Sequence, residues 1–292
     1  MTSRGAGVGT PGRVDLATVT GVSDHERLAG YIDTWAHAIA DFIALLETLD
    51  PEDWSRPTDL AGWDVKAVAS HTAHLESVLA GRGEETAEVG EPPHVAGLMG
   101  LYTEIGVVNR RDADPADVIA EIRAVTTERA EALRADPPTD AAGTPATIFG
   151  GVPWNWGTLL RNRPLDIWMH EQDIRRAVGS PGGMDSPGAQ HTADYLSESF
   201  GYVVGKKVGP PPGTTAVLDV AGSPTIAVEV DADGRAQRLA EAPAAPTVRL
   251  APDRETFIVA AGGRRTVDPE SVQIDGDREL GARILAALAT TP

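Results

Sequence analysis

Cysteine is absent from this chain. Its absence removes disulfides, thiolate zinc fingers, iron–sulfur ligation and any protein-borne thiol nucleophile, so sulfur chemistry here needs an external thiol. Basic residues are scarce: 25 Lys and Arg stand against 43 Asp and Glu, a formal charge of −18. That balance disfavours attraction to phosphate backbones and anionic lipid surfaces, and neither nucleic acid nor a membrane is expected as a partner. Long apolar runs are missing too. No stretch approaches the roughly 18 to 20 uninterrupted apolar residues of a membrane helix. The Gly-rich opening segment lacks the apolar core of a secretion signal. The expected protein is soluble and cytoplasmic, with residues 1–22 a flexible leader. What is present suffices for a core: 41% of the 292 residues are hydrophobic, a size that suits two ordinary domains.

Ser23 and Glu26 have the spacing of a capping box, in which side chains satisfy the free amides of a helix start. Leu28, Ile32, Trp35, Ile39, Phe42, Leu46 and Leu49 then recur at steps of three or four, the stripe of an amphipathic helix that Pro51 ends. After a turn at Pro57 to Trp63, Asp64 caps a second helix through Val65, Val68, Leu75 and Leu79 to Gly81. A third helical stretch covers about Val95 to Val108, and a fourth runs from Asp114 to Pro137 with Pro115 in its tolerant first turn. A Pro/Gly/Thr loop leads to a helix over Thr158 to Val178, which Pro164 should kink or restart. These segments describe a helical bundle.

The pattern changes after a helix-like run from Thr192 to Val204. Pro210-Pro211-Pro212-Gly213 reads as a linker, and Ile226, Val228 and Val230 alternate with Ala227, Glu229 and Asp231 as a half-buried strand. Asp233-Gly234 is a hairpin signal. Further strands at Ala216 to Val220, Thr247 to Leu250 and Val272 to Ile274 interleave with helices at Asp253 to Ala261 and Asp277 to Leu288. The fold class is therefore α+β: a four-helix bundle over residues 23–206, followed by a small α+β domain over 207–292.

Chemistry concentrates on two of the helices. At roughly 100° per residue, Asp166 and His170 lie about 40° apart, with Asp173 between their directions, so all three share a face. On the second helix His71 flanks the apolar face, whereas His74 turns further towards solvent and is the less favoured ligand. Bundle cores build metal sites from facing helices. His71, Asp166 and His170 would leave one tetrahedral position open, the arrangement of a catalytic rather than a structural zinc site. Water or a small-molecule thiol could occupy it. Trp63 and Trp168 are read as packing near these ligands, and Asp173 as a partner for Arg175 or a hydrogen-bond acceptor behind a ligand. His25, His37, His94 and His191 carry no supporting pattern.

Two stretches resemble the mycothiol-dependent maleylpyruvate isomerase family, whose N-terminal half is a DinB-like metal-binding bundle. One is Gly62-Trp63-Asp64-Val65 with His71 eight residues after Trp63; the other runs from Arg163 through Asp166, His170 and Asp173-Ile174-Arg175 to Ala177. Val217-Leu218-Asp219-Val220, Phe257, Gly262-Gly263-Arg264 and Ile274-Asp275-Gly276-Asp277 are similar to the family's sterol-carrier-like second domain. The resemblance implies metal ligands at His71, Asp166 and His170, with Asp166 one methylene shorter than the family's usual Glu. It implies zinc as the divalent metal and mycothiol as the external thiol, added to a small electrophilic substrate. In an isomerase the adduct rotates about the former double bond and expels the thiol; in an S-transferase it persists. It also implies a role in thiol binding or turnover for an arginine of the second domain, on Arg264 or its neighbour Arg265. Two other readings stay open from the residues: a small-molecule binding protein with a structural or vestigial metal, and a metal-water hydrolase or lyase. The substrate and the oligomeric state are not legible.

Overall fold

The computed structural model describes residues 22–290; the leader expected over residues 1–22 lies, apart from Val22, outside the described residues. Helix α1 (Asp24–Leu46) begins at the capping box: Ser23 Oγ accepts from the Glu26 amide, and the Glu26 carboxylate takes the Ser23 N–H at 2.9 Å. Its stripe of Leu28, Trp35, Ile39, Phe42 and Leu46 is buried. The helix stops before Pro51 because the Thr48 amide and hydroxyl both turn back onto the Leu45 carbonyl, closing the last turn tightly.

Helix α2 (Val65–Ser77) is capped by Asp64, whose carboxylate accepts from the Ala67 amide at 2.8 Å. A π-helical turn over Val78–Arg82 follows, and Gly81 there sits at φ +88°. Helix α3 (Gly97–Asn109) is followed by α4 (Pro115–Ala135), with Asp114 as its cap and Pro115 in its first turn. Helix α5 (Trp156–Val178) starts at an Asn155 cap and ends at left-handed Gly179. It runs unbroken through Pro164, where a restart was one expectation; the packed neighbours hold the turn despite the missing N–H. Helices α1 and α2 each pack against both α4 and α5, which closes a four-membered ring. Helix α3 lies outside this ring on α2, and α6 (Pro187–Ser197) covers α5 and α1.

A short helix α7 (Phe200–Tyr202) and a π-helical turn over Val203–Val208 lead into the sheet. Strands β1 (Thr215–Leu218), β2 (Ile226–Val230), β3 (Ala236–Arg238), β4 (Val248–Ala251) and β5 (Gln273–Gly276) pair in the order β3-β2-β1-β4-β5. Only β1 and β4 run parallel among these pairs. β3, the return strand of the Asp233-Gly234 hairpin, escaped the sequence reading because it is short and polar. Helix α8 (Arg254–Ala261) lies against α6, and α9 (Arg278–Ala287) packs on β4 and β5. Gly281 makes that packing possible, since a Cβ there would meet Ile274 Cγ2 at 2.4 Å. Among the described residues, no helix is long and apolar enough to cross a membrane.

Candidate metal centre

Asp166 and His170 stand one turn apart on α5 and face His71 on α2. One ligand atom from each of the three lies within 4.8 Å of the other two. His71 Nε2 is 3.8 Å from Asp166 Oδ2, and His170 Nε2 is 3.6 Å from Asp166 Oδ1. Ligands about 2.1 Å from a tetrahedral ion would stand roughly 3.4 Å from one another, so these gaps suit a small divalent cation. Although one methylene shorter than Glu, Asp166 still brings its carboxylate within 3.6 to 3.8 Å of both imidazoles. Both imidazoles are buried, while 23% of the Asp166 side chain is exposed, so the carboxylate marks the open side of the cluster.

The donor set and an orphaned atom both fit a metal. Asp166 Oδ2 is buried and accepts no hydrogen bond, a costly situation unless something else holds it. Arg163 Nη1 stands 2.9 Å from that oxygen, within ion-pair distance but off the line a hydrogen bond requires. Burial raises the Asp166 pKa, yet the charges of Arg163 and His170 outweigh it and hold the carboxyl far below the carboxylate range. Asp166 is therefore anionic at neutral pH. His71 is pushed down to about 4, by burial first, with Asp166 opposing. It offers a neutral imidazole, the form that binds metals.

The loop before α2 shapes the wall of the site. Gly62 sits at φ +80°, and a Cβ there would run into the His94 ring at 2.3 Å, so both the turn and the packing require glycine. Trp63 follows with its ring centroid 5.0 Å from that of His71 and 6.2 Å from that of His170. Its Nε1 donates to Glu104 of α3 at 2.8 Å, and His94 Nε2 lies 3.4 Å from the same carboxylate. Trp63 thus packs on both imidazoles, whereas Trp168 is buried away from them, donating to the Gly183 carbonyl and lying against Gly188.

His74 corrects an expectation. It does not face solvent: it is fully buried, with neither ring nitrogen hydrogen-bonded. Helix α3 covers that side of α2, and Gly106 lets it come close, since a Cβ there would meet His74 Cβ at 2.3 Å. His74 packs on Tyr102 and takes no part in the cluster.

Behind the ligands lies a buried charged group that the sequence reading did not single out. Glu76, fully buried on α2, receives Arg129 of α4 at 2.6 Å, Arg163 of α5 at 3.0 Å and Trp35 of α1 at 3.3 Å. Burial pushes the Glu76 pKa up, but Arg129 and Arg163 outweigh it and keep it below the usual value. Asp173 Oδ2 lies 3.3 Å from His170 Nδ1. Its partners are Arg176 and Arg264; Arg175 instead pairs with Glu171. Arg264 comes from the loop after α8, and Arg265 beside it is 56% exposed and binds Asp59, which also holds Arg176. The sequence signal for Arg163 was its place one turn before Asp166; Glu76 had none, because its partners come from three other helices.

Two family models cover the chain: the mycothiol maleylpyruvate isomerase N-terminal domain matches residues 35–175 and the MDMPI C-terminal domain matches residues 190–283. The chain belongs to the mycothiol-dependent maleylpyruvate isomerase family. It is, as a member of that family, an enzyme. His71, Asp166 and His170 fall within the first matched region and Arg264 within the second. The fold is similar to the crystal structure of the mycothiol-dependent maleylpyruvate isomerase, with TM-score 0.51 and 16% identity over 87% of this chain and 95% of that one. The structure of a histidine-to-alanine mutant of that isomerase gives TM-score 0.49 at the same identity and coverage. No curated protein matches the chain.

Proposed function

We propose that this enzyme uses a divalent metal, zinc by preference, held by His71, Asp166 and His170, to activate mycothiol for addition to a small electrophile. The observation that carries this reading is the convergence of two buried imidazoles and one carboxylate from facing helices within 4.8 Å of one another. A metal with an open position supplies a lowered pKa for a bound thiol and a fixed place for its sulfur. The chain itself provides no thiol, in keeping with a thiol that comes from outside.

The residues divide the remaining work. His71 enters neutral, so no proton must leave it when a ligand binds. Asp166, kept anionic by Arg163, offsets the cationic charge that a metal would bring. Trp63 packs against both imidazoles and limits water on that side. The exposed edge of Asp166 leaves the approach through which thiol and electrophile would come. In an isomerisation the thiol adds to one carbon of a double bond, the new single bond rotates, and the thiol leaves unchanged. In a transfer the carbon–sulfur bond persists.

The test is to incubate the purified protein with candidate cis-configured unsaturated acids, maleylpyruvate first, with and without mycothiol. Isomerised product or a thiol adduct by mass spectrometry, formed only when mycothiol is present and lost in His170→Ala, is the expected result. Turnover that needs no thiol would replace this reading with a metal-water hydrolase or lyase. Tight binding without turnover would replace it with a binding protein.

A further inference from the structure

Arg264 reaches across from the loop after α8 to the fifth helix, and every nitrogen of its guanidinium is engaged. Nε stands 3.0 Å from Asp173 Oδ1, Nη2 donates to Asp173 Oδ2 at 3.0 Å, and Nη1 donates to the Gly262 carbonyl at 2.9 Å. Only 8% of the side chain is exposed. Three of its five N–H donors are thus spent within the protein, and little of the side chain is left to meet a substrate or thiol. The carboxylate it holds is the one beside His170 Nδ1, on the side of the imidazole away from Asp166. Metal-binding histidines are commonly fixed by a carboxylate on the second ring nitrogen, which sets the tautomer and orients the ring.

The loop is built for this reach. Gly262 lies against Met169 of α5, whose Cε a Cβ there would meet at 2.4 Å, so the loop and α5 are in close contact at this point. Gly263 turns the chain at φ +65°, a conformation that side chains rarely adopt. Asp173 is buried, and its carboxyl is held down at about 2: burial raises it, and the contacts with His170 and Arg264 more than offset that rise.

We infer that Arg264 is a positioning residue of the metal centre: it fixes Asp173, which orients His170, so that the C-terminal part of the chain completes a site whose ligands all lie in the helical part. This inference rests on the metal-centre reading above. It gives Arg264 a role through the protein and not through contact with mycothiol or substrate.

The full-length protein is stripped and reloaded with zinc, and its affinity is measured by competition with a chromophoric chelator. The visible spectrum of the cobalt-substituted protein reports the ligand geometry. Arg264→Gln and Asp173→Asn should each weaken zinc binding roughly 10- to 100-fold and alter the cobalt bands. Arg264→Lys should recover part of the affinity, and Arg278→Gln, a surface residue paired with Glu270, should match wild type. Circular dichroism melts accompany each variant, and if Arg264→Gln fails to fold, Arg264→Lys and Asp173→Asn decide. Wild-type zinc affinity and cobalt spectrum in the folded variants would overturn the inference; a raised KM for mycothiol alone would then assign Arg264 to thiol contact. A wild-type protein that takes up no metal would instead overturn the metal-centre reading itself, a separate and recognisable outcome.

Discussion

His71 is a buried imidazole whose folded pKa of about 4 lies well below that of an exposed histidine. Between those two values the unfolded chain holds a proton that the folded metal-free chain refuses, so stability falls as pH drops from about 6.5 towards 4. The shift corresponds to roughly 3 kcal/mol in this one group. Denaturant melts of the metal-free protein between pH 7 and pH 4 should show the loss, and His71→Gln should flatten that part of the profile. An unchanged slope in the variant would contradict the burial argument. Asp173 acts lower on the scale: its folded pKa of about 2 keeps its contribution intact above the ordinary carboxylate range and surrenders it as pH falls from about 4 towards 2. Asp166→Asn removes the charge that faces the two imidazoles, and zinc bound per chain should drop to background. That Asp166 and His170 share a face, and that His71 turns inward, was legible in the sequence because a helical repeat places i and i+4 together and a capped start fixes the register. The partners of Asp173 were not. Arg264 lies 91 residues away, and no local period reports a contact of that kind.

Helix α2 shows where local reasoning ends. An amphipathic reading gives it one wet side, yet Ser70, His71, Thr72, His74, Glu76 and Ser77 are all buried. The reason is that α3, α4 and α5 enclose it, and the covering position of α3 is a tertiary fact. The starts of α1, α2 and α4 were read correctly because Ser23, Asp64 and Asp114 act on amides two or three residues away. Two predictions belong to α2 and the helix that covers it, α3. Glu76→Gln leaves Arg129 buried without a counter-charge and Arg163 with Asp166 alone, and should cost about 3 to 5 kcal/mol in urea melts. A loss under 1 kcal/mol would mean that the buried pairs are dispensable. Gly106→Ala gains about 1 kcal/mol of helix propensity, but its Cβ would collide with His74, and overpacking of this kind costs about 1 to 3 kcal/mol. The net change should be a lower melting temperature; a higher one would show that α3 can move off α2.

At the scale of the molecule, a ring of four helices carries the three ligands, and a five-stranded sheet with two helices delivers Arg264 against the back of the site. The resemblance noted in the sequence agrees with the two family models, although identity to the similar crystal structure is only 16%. The helical part was readable because its caps and stripes are local, and most of the sheet because its strands are short apolar runs; β1 and β2 are buried on both faces and do not alternate, and the polar β3 gave no signal. The way the two parts meet was not readable, since Gly262 and Arg264 act on α5 residues far away in sequence. The most direct measurement is the metal content of the purified and zinc-reloaded full-length protein, by inductively coupled plasma mass spectrometry, beside His71→Ala, Asp166→Asn and His170→Ala. The predicted result is about one tightly held zinc per wild-type chain and none in any of the three variants. A wild type that holds no metal, or three folded variants that hold it as well as wild type does, would contradict the account.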